Sequence, residues 1–596
     1  MMNIKIPASL SSPRKIAVIK FGASVLAKVE AIPAAVHEAY YYVRLGYRVL
    51  VVVSALGDTT IKLNQTVKIL LDDDTIMPPA NEFASLLAMG AISTACLFTI
   101  ALDRAGIAAK KLDHYCLNTT GAILNATPTS LATDKLNRLF EQYSILVLPG
   151  FIGYDQRQNT TTILGSGGSD LTALFAAASL NANLCVLYKN TGGIYNQDPN
   201  IAENSAQRYA FLSLRDALKI PAAVIKHKAL KFAQTKNLKF IVKGLACADE
   251  TQVGTDQSVY APVKPKINKL RIGLLGFGKV GFAIYKHLIV SDHLFAIAGI
   301  VTNNLTKNES KHLPPELIIN DWTELLSRGC QVVMILIDDV SLAKTASQQA
   351  IIKGVHVITA NTALMVQYGV ELSKRTKNNK IKLLYSAAIA GAIPILENLC
   401  NEQQLPPPQQ IQSITAVLNN TCNLILDKIN QGKTLPEAVK LAKIVGINNG
   451  PLSLALNGLV DQQKMILIAR AIFGKEPDSV EIIGIQYLDE QTIRATIADE
   501  KFIRLVACCE LKNNKLSLQV RPICLDYNHP FAQISGDHNA IIIHKKNGEQ
   551  LQFHGKSIGR WPIAEALYAD LLALALPRFN FNMTAPRKNN KADNLC

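Results

Sequence analysis

The sequence predicts an α/β protein built as two α/β bodies, the second carrying an appended α+β subdomain. Two observations carry this. Short β-branched runs of strand length, such as Val49–Val53 and Val332–Ile337, alternate with longer helical patterns, as in buried parallel sheets with helical crossovers. The alternation breaks once, at the polar stretch Asp249–Lys269 with its two prolines and repeated lysines, and restarts abruptly at Leu270.

In the first body, Lys15–Lys20, Tyr47–Val53, Ile145–Pro149 and Leu184–Tyr188 read as buried strands. Ala84–Ala105 reads as a helix. Its charge-free part, Ala84–Leu102, approaches membrane-spanning length, but Ser, Thr, Gly and Ala dilute it, so a buried core helix is expected. In the second body, Leu270–Leu275 and Phe295–Val301 read as strands flanking a helix at Phe282–Ile289. From Ser413 onward crossovers thin out, and Ile482–Tyr487, Phe502–Glu510, Leu516–Leu525 and Ala540–His544 read as strands. The expected boundaries are a first domain at 13–255, a linker at 256–268, and a second domain at 269–385 closed by a C-terminal helix near 560–577. An α+β domain at 386–559 and a tail at 578–596 complete the chain. A length of 596 residues accommodates this division.

Composition narrows the function classes. Hydrophobic residues make up 49% and charged residues 18%, an ordinary globular balance. The net charge of +16 is dispersed except near Pro586–Lys591, and no nucleic-acid module is visible, so small anionic, phosphorylated ligands are the better expectation. The 11 cysteines are odd in number and contain no Cys-x-x-Cys, which argues for reduced thiols and against a metal site. No apolar stretch of signal-peptide length opens the chain, so a cytoplasmic protein without a membrane partner is expected.

Gly276-Phe277-Gly278-Lys279-Val280-Gly281 follows a strand and opens a helix. There the glycines permit a tight turn, close backbone approach to a pyrophosphate, and close helix–strand packing. This predicts a Rossmann NAD(P)-binding domain. After the second strand stand Thr302-Asn303-Asn304, with neither an acid for a ribose hydroxyl nor an arginine for a 2′-phosphate, so the choice between NAD and NADP stays open.

Further blocks resemble homoserine dehydrogenases. His356–Leu364 resembles "hVvTANKAL", Tyr385–Ile395 "YEasVagGiPi", Ala416–Asn423 "GilNGTtN", and Asn457–Lys464 "sGlDvarK". The resemblance implies cofactor contacts at Thr359 and Asn361, substrate contacts at Asn419 and Thr421, and a catalytic Lys464. Departures fall on chemistry. The lysine of the first block is Thr362, and the acid of the second is Ser386. A carboxylate-rich stretch reads Asn448–Leu456 without a carboxylate, and the acid four residues before Lys464 is Val460. Asp461 lies one position later, a rotation of about 100° on a helix, and is expected to miss the site.

The first body resembles aspartate kinases. Ile19–Val25 resembles "KFGGTSV" one residue shorter, Val51–Ala55 "vVvSA", and Asn81–Ser85 "GErlS". Thr160–Asp170 resembles "tttLGRGGSD", and Gly192–Pro199 "dGvytaDP". The resemblance implies catalytic Lys20, Glu82 and Asp170, with nucleotide or substrate contacts at Gly22, Ser54, Ser169 and Asp198. Phosphoryl transfer depends on positioning and on cations around the phosphates. Here too there are losses. The arginine of the "LGRGGSD" run is Ser166, the aspartate of a "tDV" element is Asn190, and Pro221–His227 lacks the His-Pro pair of "GAkvlHP". Lys243 leads through Thr255 to Leu270 with too few residues for an intervening regulatory domain.

The resemblance therefore implies a bifunctional aspartokinase–homoserine dehydrogenase of amino-acid biosynthesis. It would use ATP with Mg2+ and NAD(P)H, act on aspartate, aspartate semialdehyde and homoserine, and form a homo-oligomer. The departures predict an impaired dehydrogenase. The alternative is a pseudoenzyme acting as a nucleotide-binding scaffold or regulatory subunit.

Overall fold

The computed structural model describes residues 15–72, 76–199, 206–220, 224–262, 268–302, 313–379, 381–391, 393, 410–445, 452–557 and 559–576. Outside them lie Asn303, Asn304, Pro221–Ala223, Asn448–Pro451, the expected 578–596 tail and part of the 256–268 linker. The chain divides into two compact units, residues 14–266 and 267–596.

In the first unit, β-branched and leucine-rich runs pair into a nine-stranded sheet. Its middle is parallel, with Leu184–Tyr188, Ile16–Phe21, Arg48–Val53 and Ile145–Pro149 side by side. Val49, Leu50, Val51, Val52 and Val53 are fully buried, as continuous apolar strands covered on both faces must be. The register sets where these strands stop. Phe21 pairs with both Val53 and Tyr188, so they end together on one edge. A smaller sheet of four strands includes Leu117–Ala122 and Thr160–Ile163. The apolar helix spans Ala80–Arg104. It buries Ala84, Ala88, Ala91, Ala95, Phe98 and Leu102 while Met89 and Ile100 face outward, so one face is a core face.

In the second unit, a six-stranded parallel sheet has Leu270–Leu275 between Phe295–Val301 and Val332–Ile335. The chain leaves the central strand at Gly276, where successive connections run to opposite sides, the crevice position for ligands in such sheets. The helix Arg560–Ala575 packs back on Lys279–Val290; near its base the Ser291 and Tyr568 hydroxyls lie 2.5 Å apart. A second, largely antiparallel six-stranded sheet holds Phe502–Lys512, Lys515–Leu525, Ile411–Val417 and His538–Lys545. Helices Asn420–Asn430 and Leu459–Phe473 cover one face of it.

One expected strand is corrected. Ile482–Tyr487 does not run as a strand: pairing stops at Ile482 and a 3-10 turn occupies Ile485–Tyr487. Gly484 sits hard against Leu456 and Asn457, with no room for a side chain, and this close approach ends the ladder.

Ile503 is fully buried whereas Ile483 is 40% exposed. Ile503→Ala is expected to lower stability by about 2–5 kcal/mol, and Ile483→Ala by less than about 0.5 kcal/mol. Denaturant unfolding of both variants checks the contrast.

Candidate functional site

In the first unit the expected residues gather where the parallel strands end. Lys20 lies at the end of its strand, and helix Gly168–Ser179 presents Asp170 from its first turn. The Lys20 ammonium is 2.8 Å from Asp170 Oδ1. On the other side, Lys189 Nζ donates to Asp170 Oδ2 at 2.8 Å. All three side chains are buried. Burial raises the Asp170 pKa, but Lys20 and Lys189 outweigh it and hold the carboxyl below its ordinary value. Burial, with Lys20 adding to it against Asp170, lowers the Lys189 pKa to about 8.

Gly22 has a physical reason to lack a side chain: a Cβ there would lie 2.6 Å from the Lys20 ammonium nitrogen. Ser54 follows its strand and donates its backbone N–H to Phe21 O. Ser169 is buried beside Asp170. Glu82 and Asp198, by contrast, stand exposed to solvent. Ser166 is exposed at the turn before the helix, and Asn190 is exposed directly after Lys189. Lys189 escaped the motif reading. The available signal was a lysine directly following the wholly apolar run Leu184–Tyr188.

In the second unit the glycine-rich turn divides its work. Gly276 has φ +106°, and a Cβ on it would lie 2.8 Å from Leu336 O. A Cβ on Gly281 would lie 2.6 Å from Gly276 O. Both are demanded by packing. Gly278 faces open space at the start of helix Lys279–Val290, with no protein atom near its Cβ position. That is the cradle a pyrophosphate needs. Phe277 is buried against Phe282 and Tyr285, Lys279 is exposed, and Val280 is half-buried.

Thr359 and Asn361 are structural ties. Thr359 Oγ1 donates to Ile335 O at 3.1 Å. Asn361 Nδ2 donates to Ile337 O at 3.0 Å, while its Oδ1 caps the following helix by accepting from Leu364 N. Thr362, in place of the family's lysine, donates its hydroxyl to Ala388 O at 2.6 Å. Ser386 is not alone, because its Oγ donates to Asp570 Oδ1 at 2.7 Å and its N–H to Oδ2. A carboxylate from the C-terminal helix thus meets the position where the sequence lacks one.

Lys464 and Asp461 lie on helix Leu459–Phe473. Lys464 Nζ donates to Leu418 O at 2.8 Å, a carbonyl shared with Asn539 Nδ2 at 3.1 Å. Asp461 is fully buried, and Asn419 Nδ2 donates to it at 2.9 Å while Asn419 Oδ1 caps the helix carrying the buried Thr421. This corrects the expectation that Asp461 misses the site. Positions three and four residues before Lys464 fall on either flank of its own helix face, so the one-residue shift crosses the face instead of leaving it. Among the described residues, Asp461 Oδ1 and the Oδ1 atoms of Asn420, Asn423 and Asn539 are buried without a hydrogen-bond donor.

Burial raises the Asp461 pKa to about 6 against the pull of Asn419 and Lys464. Between about pH 4 and 6 the folded protein holds a proton that the unfolded chain has released, so stability falls as pH rises through that window. Asp461→Asn is expected to stabilise the protein by roughly 2–3 kcal/mol above pH 7 and hardly at all near pH 4. Denaturant titrations at the two pH values check this.

Comparisons with known proteins agree with the geometry. Residues 15–244 match the amino acid kinase family, 276–386 the homoserine dehydrogenase NAD-binding domain, and 394–572 homoserine dehydrogenase. The homoserine dehydrogenase of Bacillus subtilis is 28% identical over 319 residues, covering 51% of this chain and 72% of that protein. The aspartokinase of Helicobacter pylori is 31% identical over 229 residues, covering 38% of this chain and 55% of its own. The chain thus spans about half the length of the aspartokinases it matches. A solved homoserine dehydrogenase from Thiobacillus denitrificans aligns over 54% of this chain and 76% of its own at 23% identity and a TM-score of 0.49. An amino acid kinase domain is thus followed in one chain by the NAD-binding and catalytic parts of a homoserine dehydrogenase, an arrangement consistent with a bifunctional aspartokinase–homoserine dehydrogenase.

Proposed function

We propose that the kinase half transfers the γ-phosphoryl group of ATP, with Mg2+, to an aspartate side-chain carboxylate, and that the dehydrogenase half binds NAD(P)H but interconverts aspartate semialdehyde and homoserine poorly. In the kinase half, Lys20 neutralises charge on the phosphates, Gly22 lets backbone approach them, and Asp170 positions the ammonium. Glu82, Ser54, Ser169 and Asp198 are proposed to line the aspartate and nucleotide. The protein is proposed to act on these small molecules in the cytoplasm as a homo-oligomer.

In the dehydrogenase half, Gly278 and the helix start behind it would hold the pyrophosphate, and the cofactor, when bound, supplies the hydride. The chain must supply a proton to the developing alkoxide and a cation to steady it. Lys464 is the retained donor, with Asp461 beside it able to hold a proton near neutrality. The single observation that carries the impairment is Thr362: a hydroxyl bound to Ala388 O stands where the family has an ammonium group. Loss of one member of a charged site commonly costs about 2–5 kcal/mol, or roughly thirtyfold to several-thousandfold in rate. The same residue, with Ser166 in the other half, favours the second reading, a nucleotide-binding scaffold without turnover.

Two measurements test the dehydrogenase half. Gly278→Ala, which has room and an ordinary backbone, is expected to fold normally yet weaken NADPH binding about tenfold, whereas Gly281→Ala destabilises the fold. Absence of any fluorescence response to millimolar NADH or NADPH would refute dinucleotide binding. Thr362→Lys combined with Val460→Asp is expected to raise homoserine oxidation only slightly, because Asn448–Leu456 still lacks carboxylates. Full recovery would show that positions 362 and 460 together account for the impairment.

A further inference from the structure

Lys189 lies outside the residues that the sequence motifs single out, and its surroundings give it a role that the kinase resemblance does not supply. We propose that Lys189 is a second phosphate-binding ammonium of the kinase site, contacting the polyphosphate of a nucleoside triphosphate alongside Lys20. The proposal rests on the kinase reading of this unit.

Geometry puts the two lysines on one ligand. Phe21 pairs with Tyr188 in the parallel sheet, so the next residues, Gly22 and Lys189, emerge side by side at the sheet's edge. Lys20 and Lys189 reach the two oxygens of one aspartate, each at 2.8 Å. Lys20 is 5%, Lys189 7% and Asp170 4% exposed. Two ammonium groups against one carboxylate leave a buried excess of one positive charge. An unbalanced buried charge is costly, and burial already lowers the Lys189 pKa to about 8. An anion completes the balance. Among the described residues, Lys243 on the adjoining strand has its own partner in Glu250 at 3.6 Å, and the buried Glu38 accepts from the Tyr188 hydroxyl at 2.6 Å. Cys185 on the same strand is a neutral thiol, pushed up to about 12 by burial and by Asp170.

The neighbouring substitutions point the same way. In the "tDV" element, Lys189 stands at the first position and Asn190 at the acidic one, so the phosphate end has gained a cation and lost an anion. Ser166 removes a cation from the "LGRGGSD" run. Relative to the elements it resembles, the site has lost a cation at position 166 and gained one at position 189, beside Lys20 on Asp170. Phosphoryl transfer needs cations around the equatorial oxygens, and an ammonium at this edge can serve that need.

The test is calorimetric titration of the full chain with MgATP and, separately, with inorganic pyrophosphate. Lys189→Met is expected to weaken both by about tenfold or more while aspartate affinity changes little; Lys189→Arg keeps binding within about threefold. The unmodified protein supplies a readout independent of variant folding. Its MgATP affinity should be flat from pH 6.5 to 7.5 and fall up to about tenfold per unit well above pH 8, as Lys189 loses its proton. A folded Lys189→Met that binds MgATP like the unmodified chain overturns the proposal, as does an affinity flat from pH 7 to 9.5. If the unmodified protein binds neither probe, the kinase reading itself fails.

Discussion

A buried carboxylate held between two ammonium groups organises the kinase unit. Asp170 can remain ionised beneath the sheet's edge only because Lys20 and Lys189 each lie 2.8 Å away. That constraint fixes much around it. The strands end in register, a Cβ on Gly22 would displace the Lys20 ammonium, and the helix begins so that Asp170 falls in its first turn, where the helix dipole also favours negative charge. Asp461 in the other unit shows the same residue type with the opposite outcome. It is as deeply buried, but an amide and one lysine do not outweigh burial, and its pKa rises to about 6. The number of cations within reach decides which aspartate is a fixed charge and which can exchange a proton.

Charge in this chain has been relocated as much as lost. Ser386 has no carboxylate of its own, yet Asp570 meets both its N–H and its hydroxyl. Asp461 replaces an acid one position earlier and still reaches Asn419. Lys189 adds an ammonium next to the neutral Asn190. Thr362 is different, because its hydroxyl binds a carbonyl and brings no charge. The two halves therefore differ in kind. On the proposed reading, the kinase edge is richer in cations where phosphates would bind, and the dehydrogenase site is poorer by one.

Much of this was legible in the sequence for identifiable reasons. Continuous apolar runs such as Val49–Val53 can only be buried strands, and glycines bounded by a strand and a helix define a turn whatever surrounds them. What stayed hidden depended on distance or phase. Asp570 is 184 residues from Ser386, so no local pattern joins them. A rotation of about 100° separates Val460 from Asp461, yet it crosses from one flank of Lys464 to the other, which sequence spacing alone does not reveal. The motif marks Thr359 and Asn361, but that their side chains also tie a strand and a loop to a helix start is visible only in the fold. Ile482–Tyr487 has strand composition, and a tightly packed Gly484 interrupts it.

On the proposed reading, one chain combines a working phosphoryl-transfer edge with a dehydrogenase site short of a cation. The most direct test is a paired assay on one preparation of the full chain, trapping aspartyl phosphate as its hydroxamate and following homoserine-dependent reduction of NAD or NADP. The account predicts hydroxamate formation that depends on ATP and aspartate, with homoserine oxidation slower by about a hundredfold or more than the ordinary enzymatic range of roughly 1–1,000 per second. Homoserine oxidation within that range, or no hydroxamate at saturating ATP and aspartate, would contradict it.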